Sequence, residues 1–153
     1  MTAEASATTD TFIVFSVAST AYALQSHQVH HMEMVEQVTR VPNAAPFVDG
    51  VVFSRGQVVP AVNLRARFGF DRSPYDLRTR LIVVEAQGRQ VGLVVDDARE
   101  FVKIPTGAIQ PPQDSLAGLS GKYVRGIVSL NDRLIVVLNL DQLVNFSEPL
   151  VAA

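Results

Sequence analysis

Short apolar runs separated by tight polar breaks fill this chain, and no stretch sustains the 3.6-residue period of a long amphipathic helix. Thr11–Val17 (TFIVFSV) is dense in β-branched and aromatic residues and predicts a strand. A small-residue turn at Ala18–Thr20 returns the chain through Tyr22-Ala23-Leu24, its predicted hairpin partner. His27–Arg40 carries two patterns. Val29, Met32 and Val35 share one helical or 3₁₀ stripe, whereas Val35–Val41 alternates, which together predict a short helical turn and then a strand. Pro42 and Pro46 close that segment. Gly50–Leu64 (GVVFSRGQVVPAVNL) then sets two apolar runs either side of Ser54-Arg55-Gly56 and predicts a β-hairpin, with Gly56 suited to a type I turn followed by a left-handed residue. Phe68–Asp76, broken by Gly69 and Pro74, reads as a crossover, after which Arg80–Glu85 and Gln90–Val95 form another hairpin around Gln87-Gly88.

The chain repeats itself. Gly126–Leu140 (GIVSLNDRLIVVLNL) aligns without a gap on Gly50–Leu64 at a spacing of 76 residues, with Asn131-Asp132 replacing the glycine turn because Asn and Asp tolerate left-handed geometry. A second block, Ile82, Val83, Leu93 and Pro111, matches Ile13, Val14, Leu24 and Pro42 at a spacing of 69. The difference falls in the polar, glycine-containing stretch Gln113–Lys122. Two blocks in the same order predict a tandem structural repeat. Half a chain of this length buries little surface by itself, so a core shared between two rolled sheets is the physical expectation for an all-β chain of this kind. Met1–Asp10 lacks periodicity and is expected to be a disordered lead. Residues 11–148 are expected to form one domain, with repeat lobes near 12–78 and 79–146 that allow strand exchange, and 149–153 are expected to form a flexible tail.

Composition narrows the function. Apolar residues make up 48% of the 153, enough for a real core. A formal charge of −2 supplies no polycation for phosphate backbones, so no nucleic-acid partner is expected. The absence of cysteine removes disulfides, thiolate ligands and thiol nucleophiles. The N-terminus carries acid rather than a basic leader, and no apolar run approaches the ~18 residues of a membrane helix, so a cytoplasmic protein without membrane insertion is expected.

Candidate chemistry is sparse. His27, His30, His31 and Glu33 are the only dense group of metal-ligand types, and a small metal-dependent hydrolase using His27, His30 and Glu33 is the rival reading. Neighbouring His30 and His31 diverge on a strand, however, and the chain has no further histidine to complete a three-histidine site. Asp96-Asp97 follows an apolar strand and reads as a strand-end cap sooner than as an acid–base pair. Arg65, Arg67, Arg72, Arg78 and Arg80 are diluted by Asp71 and Asp76 and read as a solvated crossover. No phosphate loop or nucleophile elbow occurs. No catalytic residue, metal or cofactor is expected, and the surplus of Val, Ile and Leu points to an apolar docking groove.

The order YAL, VTRVPNAAPFVDGVV, RGQVVPAVNL, VGLVVD, IQPP and YVRGIV resembles the chemotaxis coupling protein family CheW over about Phe12–Phe146. The resemblance implies two five-stranded, SH3-like β-barrels packed on a common hydrophobic core. It also implies a non-enzymatic adaptor that joins the cytoplasmic tip of a methyl-accepting chemoreceptor to the regulatory domain of a CheA-type histidine kinase, recruited to receptor arrays at the membrane. A CheW-like regulator of a histidine kinase in a pilus-motility or other non-flagellar pathway is the alternative.

On that resemblance the receptor-facing groove maps to Val29, His31, Met32, Arg55, Leu81, Gly92 and Ala98. Val29, Met32 and Leu81 supply apolar contact, Gly92 allows close backbone approach, and Arg55 serves either the rim or its own turn. Kinase contact maps to Ile109, Gln110, Pro111, Pro112 and Ser115. Three departures stand out: the hairpin reads Phe53-Ser54-Arg55-Gly56 in place of Asn-Leu-Arg-Gly, Asn63 replaces an Asp, and His31 stands where an acid is common, removing a negative charge. Gln110 and Ser115 likewise replace a basic and an aromatic residue found in some members.

Overall fold

The computed structural model describes residues 8–35, 37–111 and 123–145. In chain order these form β1 (Thr9–Val17), β2 (Thr20–Gln25), a 3₁₀ turn (Ser26–Gln28), β3 (Val29–Met34), β4 (Val48–Ser54), β5 (Gln57–Asn63) and α1 (Leu64–Arg67). After the crossover come β6 (Arg80–Ala86), β7 (Arg89–Val95), β8 (Asp97–Pro105), a 3₁₀ turn (Thr106–Ala108), β9 (Val124–Leu130), β10 (Arg133–Leu138) and α2 (Leu140–Leu143).

The strands make two five-stranded sheets of order β8-β1-β2-β10-β9 and β3-β6-β7-β5-β4. All pairings are antiparallel except β2 with β10 and β5 with β7. Each sheet curls around a small core of its own. Phe12, Val14, Ala23, Ile104, Val128, Ile135 and Val137 fill the first, and Val52, Val59, Ala61, Leu81, Val83 and Val94 fill the second. Alternation sends the intervening residues, such as Ile13, Phe15, Ile82, Val84 and Leu93, to a larger core shared between the sheets. β1 and β6 are therefore apolar on both faces, which is why their sequences run almost without a polar break. The expected all-β architecture, two five-stranded SH3-like barrels on a shared core, holds.

The repeat is equally concrete. The four hairpin turns are two-residue loops with positive φ at both positions: Ala18 (50°) and Ser19 (71°), Arg55 (48°) and Gly56 (82°), Gln87 (55°) and Gly88 (77°), Asn131 (54°) and Asp132 (62°). Positive φ at both central residues marks a type I′ turn, whose twist matches the strands, and it replaces the type I turn expected at Gly56. The turns lie at the two spacings read from the sequence. Asn63 and Asn139 cap α1 and α2 alike, accepting from the backbone N–H of Ala66 at 3.2 Å and Gln142 at 3.1 Å. Their own N–H groups donate to the carbonyls of Phe47 at 2.7 Å and Tyr123 at 2.8 Å. Those two aromatic rings hold the Arg67 guanidinium between them, 4.6 and 4.8 Å from the ring centres.

The sequence repeats do not coincide with the sheets. β1 and β2 join β8, β9 and β10, while β6 and β7 join β3, β4 and β5.

Several boundaries differ from expectation. Thr9 and Asp10 belong to β1 and not to a disordered lead. The strand expected at Val35–Val41 lies earlier, at Val29–Met34, and from the later stretch Thr39 alone makes a bridge, to Val51. Leu64 opens a helical turn instead of ending a strand. β8 was not foreseen: of its nine residues only Ile104 is buried, so its sequence carries little apolar signal. The stretch Gln113–Lys122, residues 1–7 and the 149–153 tail lie outside the described residues.

The crossover after α1 is pinned through Asp49. Its carboxylate accepts from Arg72 Nε at 2.8 Å, from Asn63 Nδ2 at 2.8 Å and from the Tyr75 hydroxyl, and Arg72 also donates to the Pro46 carbonyl at 2.6 Å.

Candidate functional site

The candidate groove residues divide by face, and a β-bulge decides the division. In β3, Val29 stands opposite Val84 and His31 opposite Val83, so His30 is an extra residue in the ladder. The bulge brings Val29 and Met32 onto one face, against the shared core, although they are three apart. This is the physical source of the helix-like spacing in the sequence. Val35 does not continue the stripe; it packs on the second barrel's own core.

β8 carries the same device at the equivalent place. Val14 faces Glu100 and Phe15 faces Ala98, leaving Arg99 as the extra residue. Ala98 and Phe101 thereby occupy in β8 the places of Val29 and Met32 in β3, 69 residues on. Val29, Met32 and Ala98 are half-buried against the shared core, whereas Phe101 is 56% exposed. The exposure of Phe101 has no counterpart in the sequence reading, although the repeat spacing applied to Met32 leads to its position.

Two assigned groove residues are corrected. Leu81 is fully buried and turns with Val83 into the second barrel's own core, so it has no surface to offer a partner. Gly92 does not open onto a groove: a Cβ there would meet Leu81 Cδ1 at 2.7 Å, so its space is already filled from within. His31 also faces away from the shared core, into a polar knot that joins β3 to β4. Its Nε2 lies 2.7 Å from Glu33 Oε2 and 2.9 Å from Ser54 Oγ, and Ser54 donates to the same Glu33 oxygen at 2.7 Å.

Serine, histidine and glutamate meet here without forming a catalytic triad. In a triad the carboxylate orients the imidazole through Nδ1 and leaves Nε2 to take the hydroxyl proton. Here the carboxylate and the hydroxyl contact the same nitrogen, and the hydroxyl proton points to the carboxylate. Ser54 is 4% exposed, so the knot satisfies a buried hydroxyl and a barrel seam together. Arg55, at the tip of that hairpin, is exposed and makes no hydrogen bond or ion pair among the described residues, so the turn-stabilising alternative is not what the side chain does.

The residues of the rival hydrolase do not converge. His30 Nε2 lies 2.5 Å from Glu85 Oε1 on the outer face, while Glu33 is held by His31 and Ser54 on the other. Asp96 behaves as a cap and tie. Its carboxylate accepts from the Ala18 N–H at 2.8 Å and takes Arg65 side-on at 2.7 and 2.9 Å, which holds the Arg65 guanidinium above its ordinary pKa. Of the kinase-contact residues, Ile109 packs half-buried on the first barrel's own core, and the Gln110 backbone pairs with Ile127 at 2.8 Å in both directions. Pro111 is exposed, and Pro112 and Ser115 lie outside the described residues.

Comparison with known proteins places this geometry. A CheW-like domain model matches residues 11–148. Chemotaxis protein CheW of Bacillus subtilis is 30% identical over 139 residues, covering 91% of this chain and 88% of that one. The Klebsiella aerogenes chemotaxis protein CheW is 28% identical over 137 residues, covering 90% and 82%. Protein FrzA of Myxococcus xanthus is 28% identical over 135 residues, covering 86% and 83%. The crystal structure of scaffolding protein TtCheW from Thermoanaerobacter tengcongensis superposes with a TM-score of 0.83 at 28% identity, covering 92% of this chain and 90% of that one.

Proposed function

The chain belongs to the CheW-like domain family, and from that premise we propose a non-enzymatic adaptor of chemotaxis signalling that couples chemoreceptor cytoplasmic tips to the regulatory domain of a CheA-type histidine kinase. The supporting observation on the molecule is the half-buried apolar edge of the shared core at Val29, Met32 and Ala98. A receptor helix laid along it would gain about 1–3 kcal/mol for each such side chain whose burial it completes. The free Arg55 guanidinium supplies a polar contact at the hairpin tip, and His31 and Leu81 act from behind by fixing β3 and β6. Kinase contact is assigned to the barrel end carrying Gln110 and Pro111, continuing to Pro112 and Ser115. The adaptor works in the cytoplasm at membrane receptor arrays.

A second reading, a CheW-like regulator of a histidine kinase in a pilus-motility or other non-flagellar pathway, is favoured by the Ser54–His31–Glu33 knot, which is polar where the family hairpin carries leucine. One experiment tests both. The purified full chain is mixed with the receptor tip and the kinase regulatory domain encoded beside it, and a ternary complex is sought by co-elution. Co-elution with components of a flagellar system supports the first reading, and co-elution with those of a pilus system supports the second. Failure to bind any kinase of the same cell overturns the adaptor role.

A further inference from the structure

A cavity of about 580 Å³ opens where the β1–β2 turn, the crossover and the first residues of β8 and β10 meet. It lies within the size range of small-ligand sites. Its lining holds four arginines, Arg65, Arg78, Arg99 and Arg133, against three aspartates, Asp76, Asp96 and Asp97, in a chain whose formal charge is −2. The lining thus carries a formal charge of +1, four arginines less three aspartates.

The arginines differ in how far they are committed. Arg65 is closed by its side-on pair with Asp96. Arg133 reaches Glu100 at 3.2 Å. Arg78 and Arg99 are open: their nearest carboxylate oxygens, on Asp76 and Asp97, lie at 3.9 and 3.7 Å, beyond hydrogen-bond distance. Neither guanidinium makes a hydrogen bond among the described residues, and their side chains are 76% and 55% exposed. Asp76 is occupied elsewhere, accepting from the Arg78 backbone N–H at 2.8 Å and from Thr79 Oγ1 at 3.4 Å. Those backbone contacts, the Arg78 N–H first, hold its carboxyl below the ordinary range.

Two guanidinium groups without a hydrogen bond among the described residues line one concavity, and a guanidinium fork engages two oxygens of a phosphoryl group at a time through paired, charge-assisted hydrogen bonds. Ser19, Thr20 and Ser73 add hydroxyl-bearing residues to the lining, and Leu134, 67% exposed, and Pro74 add apolar surface. We propose that this cavity binds a small phosphate-bearing anion, a phosphate monoester or diphosphate, between Arg78 and Arg99. The volume leaves room for an organic group against Leu134. The site is separate from the apolar edge at Val29 and Met32, and it stands whether or not the adaptor reading does.

The test uses the full chain and inorganic pyrophosphate, followed by titration calorimetry and by backbone amide shifts at constant ionic strength. Saturable one-to-one binding is expected, with shifts centred on Ser19, Thr20 and Ser73. The Arg78→Gln/Arg99→Gln double variant should bind at least about tenfold more weakly, the scale set by losing charge-assisted hydrogen bonds. Arg125→Gln, at an exposed position outside the lining, should bind as the parent does. The amide shifts of the unmodified protein keep the test independent of whether the double variant folds. No saturable binding at millimolar pyrophosphate, shifts centred elsewhere, or undiminished binding by a folded double variant would each overturn the proposal.

Discussion

Gly50 and Gly126 hold the same place in the two repeated hairpins, and each makes room for a passing backbone carbonyl. A Cβ on Gly50 would lie 2.2 Å from the Thr39 oxygen, and one on Gly126 would lie 2.5 Å from the Gln110 oxygen. The residue after each glycine exchanges two backbone hydrogen bonds with that same visitor, Val51 with Thr39 and Ile127 with Gln110. Gly50→Ala is expected to cost roughly 2–4 kcal/mol, because its φ of 149° adds strain to the clash. Gly126→Ala, with the clash alone, should cost roughly 1–3 kcal/mol. Gly56→Val meets open space and carries only the left-handed penalty, about 1–2 kcal/mol. Urea unfolding of the three variants measures this ranking.

Asn63 explains a departure from the family pattern. Its amide donates to Asp49 while its carbonyl oxygen caps α1, two tasks an aspartate cannot combine. Asn63→Asp should destabilise by about 1–3 kcal/mol at neutral pH, since it loses a donor and sets two carboxylates in contact. Adding Asp49→Asn should restore part of the loss, and a double-mutant cycle reads the coupling. Additive losses would show that the amide contact contributes nothing.

Tyr75 is expected to make stability fall at alkaline pH. Burial, then its hydrogen bond to Asp49, raise its pKa above the ordinary tyrosine value. The unfolded chain ionises near pH 10 and the folded chain only at higher pH, so the stabilisation is complete below about pH 10 and is lost as pH rises further. Tyr22, raised chiefly by burial, contributes in the same direction. Tyr75→Phe should flatten part of this decline in thermal melts taken across the alkaline range.

Val29 and Leu81 separate binding from folding. Val29→Asp places a carboxylate on a half-buried edge and should weaken receptor binding while thermal stability stays within a few degrees. Leu81→Asp buries that charge in the second barrel's core and should unfold the chain. If Val29→Asp also unfolds, Val29 is core and the docking edge lies elsewhere.

The hairpins were legible because their signals are local: two apolar runs, a turn that tolerates positive φ, and a repeat that confirmed both. β8 was not, because an edge strand with one buried residue spells out no apolar period. β3 was displaced by its bulge, which gives a strand the spacing of a helix. The facing of Leu81 was hidden for the opposite reason: when both faces of a strand are buried, parity leaves no mark in the sequence. The Ser54–His31 contact spans 23 residues and exists only because the barrel closes, so no local pattern announces it.

The exchange of β1 and β2 into the sheet of β8, β9 and β10 sets the timetable of assembly. β1 and β2 are synthesised well before β9 and β10, and Phe12, Val14 and Ala23 lack their final neighbours until Ile135 and Val137 arrive. Four of the eight strand pairings, β1–β8, β2–β10, β3–β6 and β5–β7, join strands that are not neighbours in the chain, a topology that slows folding relative to hairpins alone. A truncated product ending before β9 holds every strand of the second sheet but leaves β2 without β10 and the first core open, and so becomes a substrate for chaperones and proteases.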